Sequence, residues 1–389
     1  MNGINEQIDE SDTVVLKPVG LWELVLYFLR LGSFGFGGPI ALAGYMQRDL
    51  MPRGWISEDE YREGLAFSQM MPGPLAAQFA MWIGFIRHGV IGASLVGIVF
   101  ILPTFLIVLV ISILYVAYQG LSLVQALFYG IGPVVIAIVA LSAIRLARTT
   151  VGSDRRMWVI FGSVALITVV ARTEIAVLFV IAGIIGVLLY SPPKNWKKPG
   201  SVVSSVPAVL GLSVTLPILL ELGAFFVKAG AFTFGSGLAI VPFLHQGVVM
   251  HHGWLTERQF LDAVAVGVIT PGPVVITAAF VGYLVAGFWG ASVAATGVFL
   301  PVYLFVLFIG RYIVRYREKS GLKGFIKGAT SAASGAIAGA SVILGQGSII
   351  DIPTAAIGIV SLLILWRFKV PEPLLIGLAA VAGVFLYRP

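Results

Sequence analysis

Residues 29–42 read LRLGSFGFGGPIAL, an apolar stretch that holds four glycines and a proline between Gly32 and Pro39. Glycine and proline are the weakest helix formers, and an unpaired backbone group in lipid costs several kcal/mol. The stretch therefore predicts that one membrane helix ends and another begins there. Such a break survives only where the exposed backbone faces protein or a polar cavity.

The rest of the chain has the composition of an integral membrane protein. Of its 389 residues, 58% are hydrophobic and 11% are charged, and the mean hydropathy is +0.99. Runs of about 20 apolar residues, enough to span a bilayer as a helix, recur along the sequence, and alternating strand patterns do not. We predict an all-α polytopic protein with about 12–13 hydrophobic helices. The clearest spans are Leu21–Met46, Leu65–Ile86, Val90–Tyr118, Val124–Leu146, Leu222–Leu244, Ala263–Val285, Ala291–Tyr312 and Phe325–Leu344.

Composition also excludes several classes of protein. Without cysteine there is no disulfide, thiolate metal site or redox couple, and we expect no cofactor and no metal. The net charge of +7 comes from basic residues in loops between spans, where they orient the chain, so we expect no nucleic-acid partner. The sequence has no H-E-x-x-H motif, serine–histidine pair or paired aspartates in adjacent spans, which disfavours an enzyme.

The sequence contains an internal repeat, whose two copies align at an offset of about 198 residues. Residues 29–42 align with 227–240 (VKAGAFTFGSGLAI) at five identities in fourteen, and 54–74 align with 253–273 at seven in twenty-one. We predict a disordered acidic tail over residues 1–18, with no cleavable signal, and two membrane repeats. The repeats cover 19–193 and 206–389, and a polar linker covers 194–205.

Basic residues predict that the two repeats lie in opposite orientations. The loop at 118–123 is neutral and the next loop is basic, whereas in the second repeat the loop after residue 310 is basic and 345–351 is not. Inversion needs one more crossing, which residues 202–219 can supply. Each repeat then ends in two short helices that span the bilayer fully or enter it partly. The N-terminus is expected in the cytoplasm and the protein in the cytoplasmic membrane.

Four glycine-proline breaks, FGFGGP, MPGP, FTFGSG and TPGP, occupy equivalent places in the two repeats. Discontinuous helices in inverted repeats are typical of secondary transporters, and backbone N–H groups at helix starts bind anions. Glycine in membrane helices also simply permits close packing, and that alternative stays open. The predicted anion-binding groups are Arg30, Ser33, Gly35, Gly37, Gly38, Gly73, Gln78, Lys228, Thr233, Gly235, Ser236, Gly237, Gly272 and Thr277.

Charged residues are repeated as well. Arg30 aligns with Lys228 just before the breaks, where each either holds an oxyanion or extends to the membrane surface. Two carboxyl pairs, Glu23 with Glu221 and Glu63 with Asp262, are candidates for proton coupling. The alternatives are an ion pair with the nearby base for the first pair, and interfacial helix N-caps or orientation partners for the second. His245, His251 and His252 are expected in a surface loop without a metal.

FGFGGP, GW and MPGP, repeated as FTFGSG, GW and TPGP, resemble the two-domain members of the chromate ion transporter family. The resemblance covers nearly the whole chain after residue 18 and implies a proton-driven inner-membrane carrier that exports chromate. It also implies a histidine after FGGP and hydroxyl residues after the proline-glycine-proline turn. Here those positions hold Leu42, Leu75, Ala76 and Ala77, which leaves chromate, sulfate or another tetrahedral oxyanion open.

Two functions compete at this point. A proton-coupled carrier would use the breaks and a proton-binding carboxyl, whereas a passive anion channel would use the same helix ends without a proton carrier. The expected partners are the oxyanion, protons, the lipid bilayer and, for a carrier, a second copy of the chain in a homodimer.

Overall fold

A computed structural model describes residues 16–36, 38–171, 176–191, 218–233, 237–310, 319–368 and 370–387. Every regular element in these ranges is a helix, so the all-α prediction is confirmed. The first repeat contains α1 (Leu21–Phe34), α2 (Gly38–Leu50), α3 (Glu58–Met70), α4 (Leu75–Tyr118), α5 (Ser122–Val151), α6 (Arg155–Ala171) and α7 (Ala176–Tyr190). Of the predicted tail, Lys17 donates its N–H to the carbonyl of Gly54, and residues 1–15 lie outside the described ranges.

The second repeat follows the same order. It contains α8 (Ile218–Phe232), α9 (Ile240–Leu244), α10 (Glu257–Ile269), α11 (Thr277–Leu304), α12 (Ser320–Ser348), α13 (Ile352–Arg367) and α14 (Glu372–Leu386). Short 3-10 turns precede α9 and α11, and π-helical turns follow them. The predicted linker and the extra crossing at 202–219 lie outside the described residues, except for the last two residues of that crossing, which begin α8.

The long helices α4 and α11 each contain one sharp kink. His88 and Gly89 in α4, and Ala286 and Gly287 in α11, leave helical geometry, with both glycines at φ +60°. In α4 the kink brings the backbones of Gly84 and Gly92 together, since a Cβ on either glycine would lie within 2.5 Å of the other's carbonyl oxygen. The predicted boundary between the spans 65–86 and 90–118 therefore coincides with the kink in α4.

All four predicted breaks are present. In the first repeat the chain leaves helix between α1 and α2 and between α3 and α4, and in the second repeat between α8 and α9 and between α10 and α11. The break residues Gly37, Gly235 and Ser236 themselves lie outside the described ranges. By length and composition, four described helical segments could each cross a bilayer: Leu75–Tyr118, Ser122–Thr149, Val274–Ile309 and Ser320–Ser348.

Helices α5 and α12, which are repeat equivalents, pack against each other in opposite directions. Gly132, early in α5, lies against Ser348 at the end of α12, and Ile136 contacts Gly345. The short hairpins exchange partners across the repeats: α6 and α7 pack on α12, while α13 and α14 pack on α5. Backbone contacts between glycines, such as Gly186 with Gly324, allow this close approach.

The two repeats are not equally enclosed. Residues Gly237 to Ile240 of the second repeat are buried, where α12 packs against the start of α9. In the first repeat, Ile40, which aligns with Leu238, is 76% exposed, and Phe34 before the break is 75% exposed, whereas Leu42 is buried. Similar sequences therefore occupy different environments on the two sides of the molecule.

Candidate anion site at the helix breaks

The breaks of the two repeats are joined by a reciprocal pair of backbone hydrogen bonds. The N–H of Gly73 donates to the carbonyl of Thr233 at 2.5 Å, and the N–H of Gly272 donates to the carbonyl of Gly35 at 2.9 Å. Gly35 aligns with Thr233 and Gly73 with Gly272, so the pairing is symmetric. Each proline-glycine-proline loop thus closes onto the helix break of the other repeat.

These two loops require glycine. Gly73 has φ +135° and Gly272 has φ +85°, both in the region that side-chain-bearing residues rarely adopt. A Cβ on Gly272 would lie 2.5 Å from Oγ1 of Thr104, and one on Gly73 would lie 2.9 Å from Cγ2 of Val302. Each loop therefore packs against the long helix of the other repeat: the Gly272 loop against α4 and the Gly73 loop against α11.

We call the two places where a proline-glycine-proline loop bonds to the helix break of the other repeat the crossings. Thr104 adds a hydroxyl to one of them. Its Oγ1 donates to the carbonyl of Pro271 at 2.8 Å and lies 3.3 Å from the carbonyl of Gly32. The aligned position in the second repeat is Val302, which has no hydroxyl. Thr104 was not among the predicted site residues, because this hydroxyl acquires its role only when α4 meets the loop of the other repeat.

The predicted hydroxyl donors are engaged within their own helices. Ser33, Thr233 and Thr277 donate to the carbonyls of Leu29, Ala229 and Val274 respectively, at 2.7 to 2.8 Å. The N–H groups of Gly73 and Gly272 are likewise used in the crossings. Gly38, with φ +77°, begins α2, and Gly237 begins the short turn before α9 beside Val274.

Gln78 is the polar side chain at the crossing with unmet hydrogen-bonding capacity. It is fully buried, its Nε2 lies 3.4 Å from the carbonyl of Pro72, and its Oε1 has no partner among the described atoms. A Cβ on Gly73 would lie 3.4 Å from that oxygen, which places the amide beside the loop. A buried acceptor left in this way calls for a hydrogen-bond donor such as an ordered water.

The two repeated bases lie on exposed faces. Arg30 is on the outer side of α1 and Lys228 is on the outer side of α8. Their carboxylate neighbours have other partners: Glu23 accepts from the N–H of Gly20 at 3.2 Å, and Glu221 pairs with Nδ1 of His252 at 2.9 Å. The structure thus gives both glutamates contacts other than the ion pair with the base.

The second pair of carboxyls lies further inside. Asp262 is 5% exposed and accepts a hydrogen bond from the hydroxyl of Tyr115 at 2.7 Å, and Glu63 is half-buried. The caps of α3 and α10 are Ser57 and Thr256, so neither carboxyl serves as the cap. The Tyr115–Asp262 bond links α4 of the first repeat to α10 of the second.

His245 corrects the expectation of a surface loop. It is 5% exposed and its Nε2 lies 2.9 Å from the carboxylate of Glu257, whereas His251 is exposed and His252 stacks on Trp254. His245 is the first residue of the π-helical turn over residues 245–251, and it lies on the buried side of that turn with Val248. Among the described residues, no three histidine or acidic side chains are grouped so that they could hold a metal ion.

A polar cavity of about 150 Å³ lies between the end of α4, the start of α5 and the start of α10. Arg258 is exposed at this cavity, and its Nη2 lies 3.4 Å from the carbonyl of Gln125. The lining residues are Tyr115, Gln119, Val124, Gln125, Phe128, Thr256, Arg258, Gln259 and Asp262.

The sequence profile of a protein family described as "Chromate transporter" matches the chain twice, over residues 22–187 and 220–384. The chain belongs to the chromate transporter family. It is 48% identical to the chromate transport protein of Cupriavidus metallidurans over 94% of this chain and 93% of that protein. It is also 48% identical to a probable chromate transport protein of Synechococcus elongatus over 97% and 99% of the two chains, and 30% identical to a chromate transport protein of Pseudomonas aeruginosa over 77% and 75%. No solved structure matches the chain.

The two family matches coincide with the repeats that the sequence alignment predicted. At the positions where the resemblance led us to expect a histidine and hydroxyls, this chromate transporter family member holds Leu42, Leu75, Ala76 and Ala77, all buried. The first turn of α4 therefore presents its backbone N–H groups and one polar side chain, that of Gln78.

Proposed function

We propose that the protein is a proton-coupled secondary carrier that exports chromate, or a related tetrahedral oxyanion such as sulfate, across the cytoplasmic membrane. The observation that carries the proposal is the reciprocal pairing of Gly73 with Thr233 and of Gly272 with Gly35. Membership of the chromate transporter family supports the substrate. Crossed, discontinuous helices between two repeats are the usual place of the substrate site in secondary carriers.

The anion would bind to neutral donors around the crossings. Helices α2 and α4 and the turns at 237–239 and 274–276 begin next to the breaks, and the first N–H groups of a helix lack partners within it. With the amides of Gly73 and Gly272 already bonded, the cage would consist of these first-turn N–H groups. Gln78 lies beside them, and the second hydrogen of its Nε2 group, which the contact with Pro72 does not use, can donate to the oxyanion, while its unpaired Oε1 needs a donor such as water.

Proton coupling would rest mainly on the inner carboxyls. Asp262 is buried and joined to Tyr115, while its equivalent Glu63 is half-buried. Glu23 and Glu221 lie near the starts of α1 and α8, with the cap and the histidine as partners. We therefore assign the coupling to Asp262 and Glu63 before the outer pair.

The unequal enclosure of the two repeats fits a carrier that alternates between two states. In the described state α12 packs against the start of α9 in the second repeat, whereas Ile40 at the aligned place in the first repeat is exposed. If the repeats face opposite sides of the membrane, as the antiparallel packing of α5 and α12 supports, exchanging their environments would open the site to the other side. A channel open to both sides would need no such asymmetry.

The test is chromate flux in proteoliposomes with an imposed pH gradient, without and with a proton ionophore. A proton-coupled carrier accumulates chromate against its concentration gradient, and the ionophore abolishes the accumulation. Downhill flux that is indifferent to pH would identify a passive channel. Repeating the assay with chromate, sulfate, molybdate and phosphate as competitors identifies the preferred oxyanion.

A further inference from the structure

The cavity at the start of α10 is separate from the crossings. Along α4, Tyr115 lies eleven residues beyond Thr104, or about 16 Å at 1.5 Å per residue. The cavity adjoins the turn between α4 and α5, two helices long enough to span, so it opens at one membrane surface. An anion held there would occupy the mouth of the protein and not the breaks.

The cavity offers hydrogen-bond donors around a permanent positive charge. Arginine remains charged at every physiological pH, and its guanidinium matches the geometry of an oxyanion. Within the described residues, Arg258 has no carboxylate within ion-pair distance, and its one hydrogen bond, to Gln125, is long. Its charge is therefore available to a ligand.

Two glutamines beside Arg258 are held with their amide oxygens occupied. Oε1 of Gln125 accepts from the hydroxyl of Tyr387 at 2.8 Å, and Oε1 of Gln259 accepts from the N–H of Thr256 at 3.0 Å. What each side chain can offer a ligand in the cavity is therefore its N–H₂ donor pair. An arginine with two amide donors suits an anion and does not suit a cation.

Asp262 is the opposing charge in this cavity. It lies one turn after Arg258 on α10, and an oxyanion in the cavity would face its carboxylate at short range unless the carboxyl carries a proton. The groups that act on it directly are Tyr115 from α4 and Arg258 from its own helix. Further titratable groups near this end of α10, among the described residues, are the His245–Glu257 pair at its first turn and Tyr387, which bonds Gln125 from α14.

We propose that this cavity is a second oxyanion site, formed by Arg258, Gln125 and Gln259, and that an anion binds there together with a proton on Asp262. The site gathers chromate or sulfate at the membrane surface before or after passage through the crossings. It goes beyond the transport proposal, because it needs neither the breaks nor a transport cycle. Anion affinity at this site falls as pH rises and Asp262 loses its proton.

The test is equilibrium dialysis of the purified full chain in lipid nanodiscs against sodium chromate and, in parallel, against radiolabelled sulfate, which unlike chromate stays a dianion between pH 6 and pH 8. We expect two ions per chain at pH 6 and one at pH 8. Arg258→Gln should bind one ion at both pH values, and Arg258→Lys should keep two at pH 6 with weaker affinity. Arg62→Gln, which removes an exposed arginine from α3, is the matched control and should behave as the parent.

Asp262→Asn should bind two ions at both pH values, because a neutral amide replaces the titrating carboxyl. The proposal is overturned if Arg258→Gln binds as many ions as the parent, if the parent's number does not change with pH, or if Asp262→Asn keeps the parental pH dependence. A parent that binds one ion, lost in Arg258→Gln, would instead count against the anion site at the breaks.

Discussion

The backbone N–H of Gly73, in the loop before α4, donates a hydrogen bond to the carbonyl of Thr233 at the end of α8, 160 residues later in the chain. This bond and its symmetric partner between Gly272 and Gly35 tie two irregular segments together where lipid would leave them unpaired. The glycine-proline breaks are thus one structure built from both repeats, and neither repeat can form it alone.

Gly272→Ala is expected to disrupt this structure. Alanine at φ +85° costs about 1–2 kcal/mol in backbone strain, and its Cβ would also lie 2.5 Å from Oγ1 of Thr104. We expect loss of chromate transport and lower thermal stability in detergent. Gly253→Ala is the matched control, because it has φ +62° with open space around it and so shares the strain without the collision. If both variants lose the same stability and activity, the contact with Thr104 is unimportant.

Thr104→Val replaces the hydroxyl with a methyl group and makes this position the same as Val302 in the other repeat. The buried carbonyl of Pro271 loses its donor and is left unpaired, at a cost of about 1–3 kcal/mol. We expect a severalfold lower transport rate with little change in expression. Ser112→Ala removes a buried hydroxyl from the same helix that bonds only to Val108, so it should transport as the parent does. Equal rates in the two variants would show that the cross-repeat bond has no role in transport.

Asp262→Asn tests proton coupling in the transport assay. The amide cannot exchange a proton but can still accept from Tyr115, so the contact between α4 and α10 is kept. We expect downhill chromate flux to persist and the acceleration by a pH gradient to disappear. Asp351→Asn changes an exposed cap of α13 and should remain coupled. If the Asp262→Asn variant remains coupled, Asp262 is not the proton carrier. Glu63 then becomes the candidate, and Glu63→Gln is the next variant to measure.

Arg30→Gln and Lys228→Gln separate long-range attraction from direct binding. Both side chains lie on exposed faces of α1 and α8, so we expect each charge to act through the field around the breaks and not through contact. Each variant should raise the KM for chromate by no more than a few fold, and less so at high ionic strength. A loss of more than a hundredfold, independent of salt, would place the side chain in direct contact with the anion.

The sequence predicted where helices begin and end, but it did not predict which distant segments contact each other. The spacing of Gly35, Pro39, Gly73 and Gly272 predicted where helices stop, because glycine and proline act locally on the backbone. The partners of those breaks depend on how two distant segments pack, and no local pattern encodes that Gly73 meets Thr233. For the same reason Arg258 was overlooked, since it aligns with Asp59 and gains its meaning only from the turn between α4 and α5.

Burial was hard to predict for similar reasons. Leu238 and Ile40 are aligned and both apolar, yet Leu238 is buried and Ile40 is exposed. The difference arises from the position of α12, which packs against the start of α9 in the second repeat. A duplicated sequence predicts two equal environments, whereas the structure gives the two aligned residues unequal ones.

The opposite orientation of the repeats can be tested directly, because the chain contains no cysteine. Single cysteines at Gly120, Ser153, Ser320 and Ile350 place a thiol in exposed positions at the ends of α5 and α12. With inverted repeats, a membrane-impermeant maleimide added outside should label Gly120→Cys and Ile350→Cys, and should reach Ser153→Cys and Ser320→Cys only after permeabilisation. Labelling of Gly120→Cys together with Ser320→Cys would mean that the repeats are parallel. The proposed exchange of environments between the repeats requires opposite orientations, so that result would contradict it.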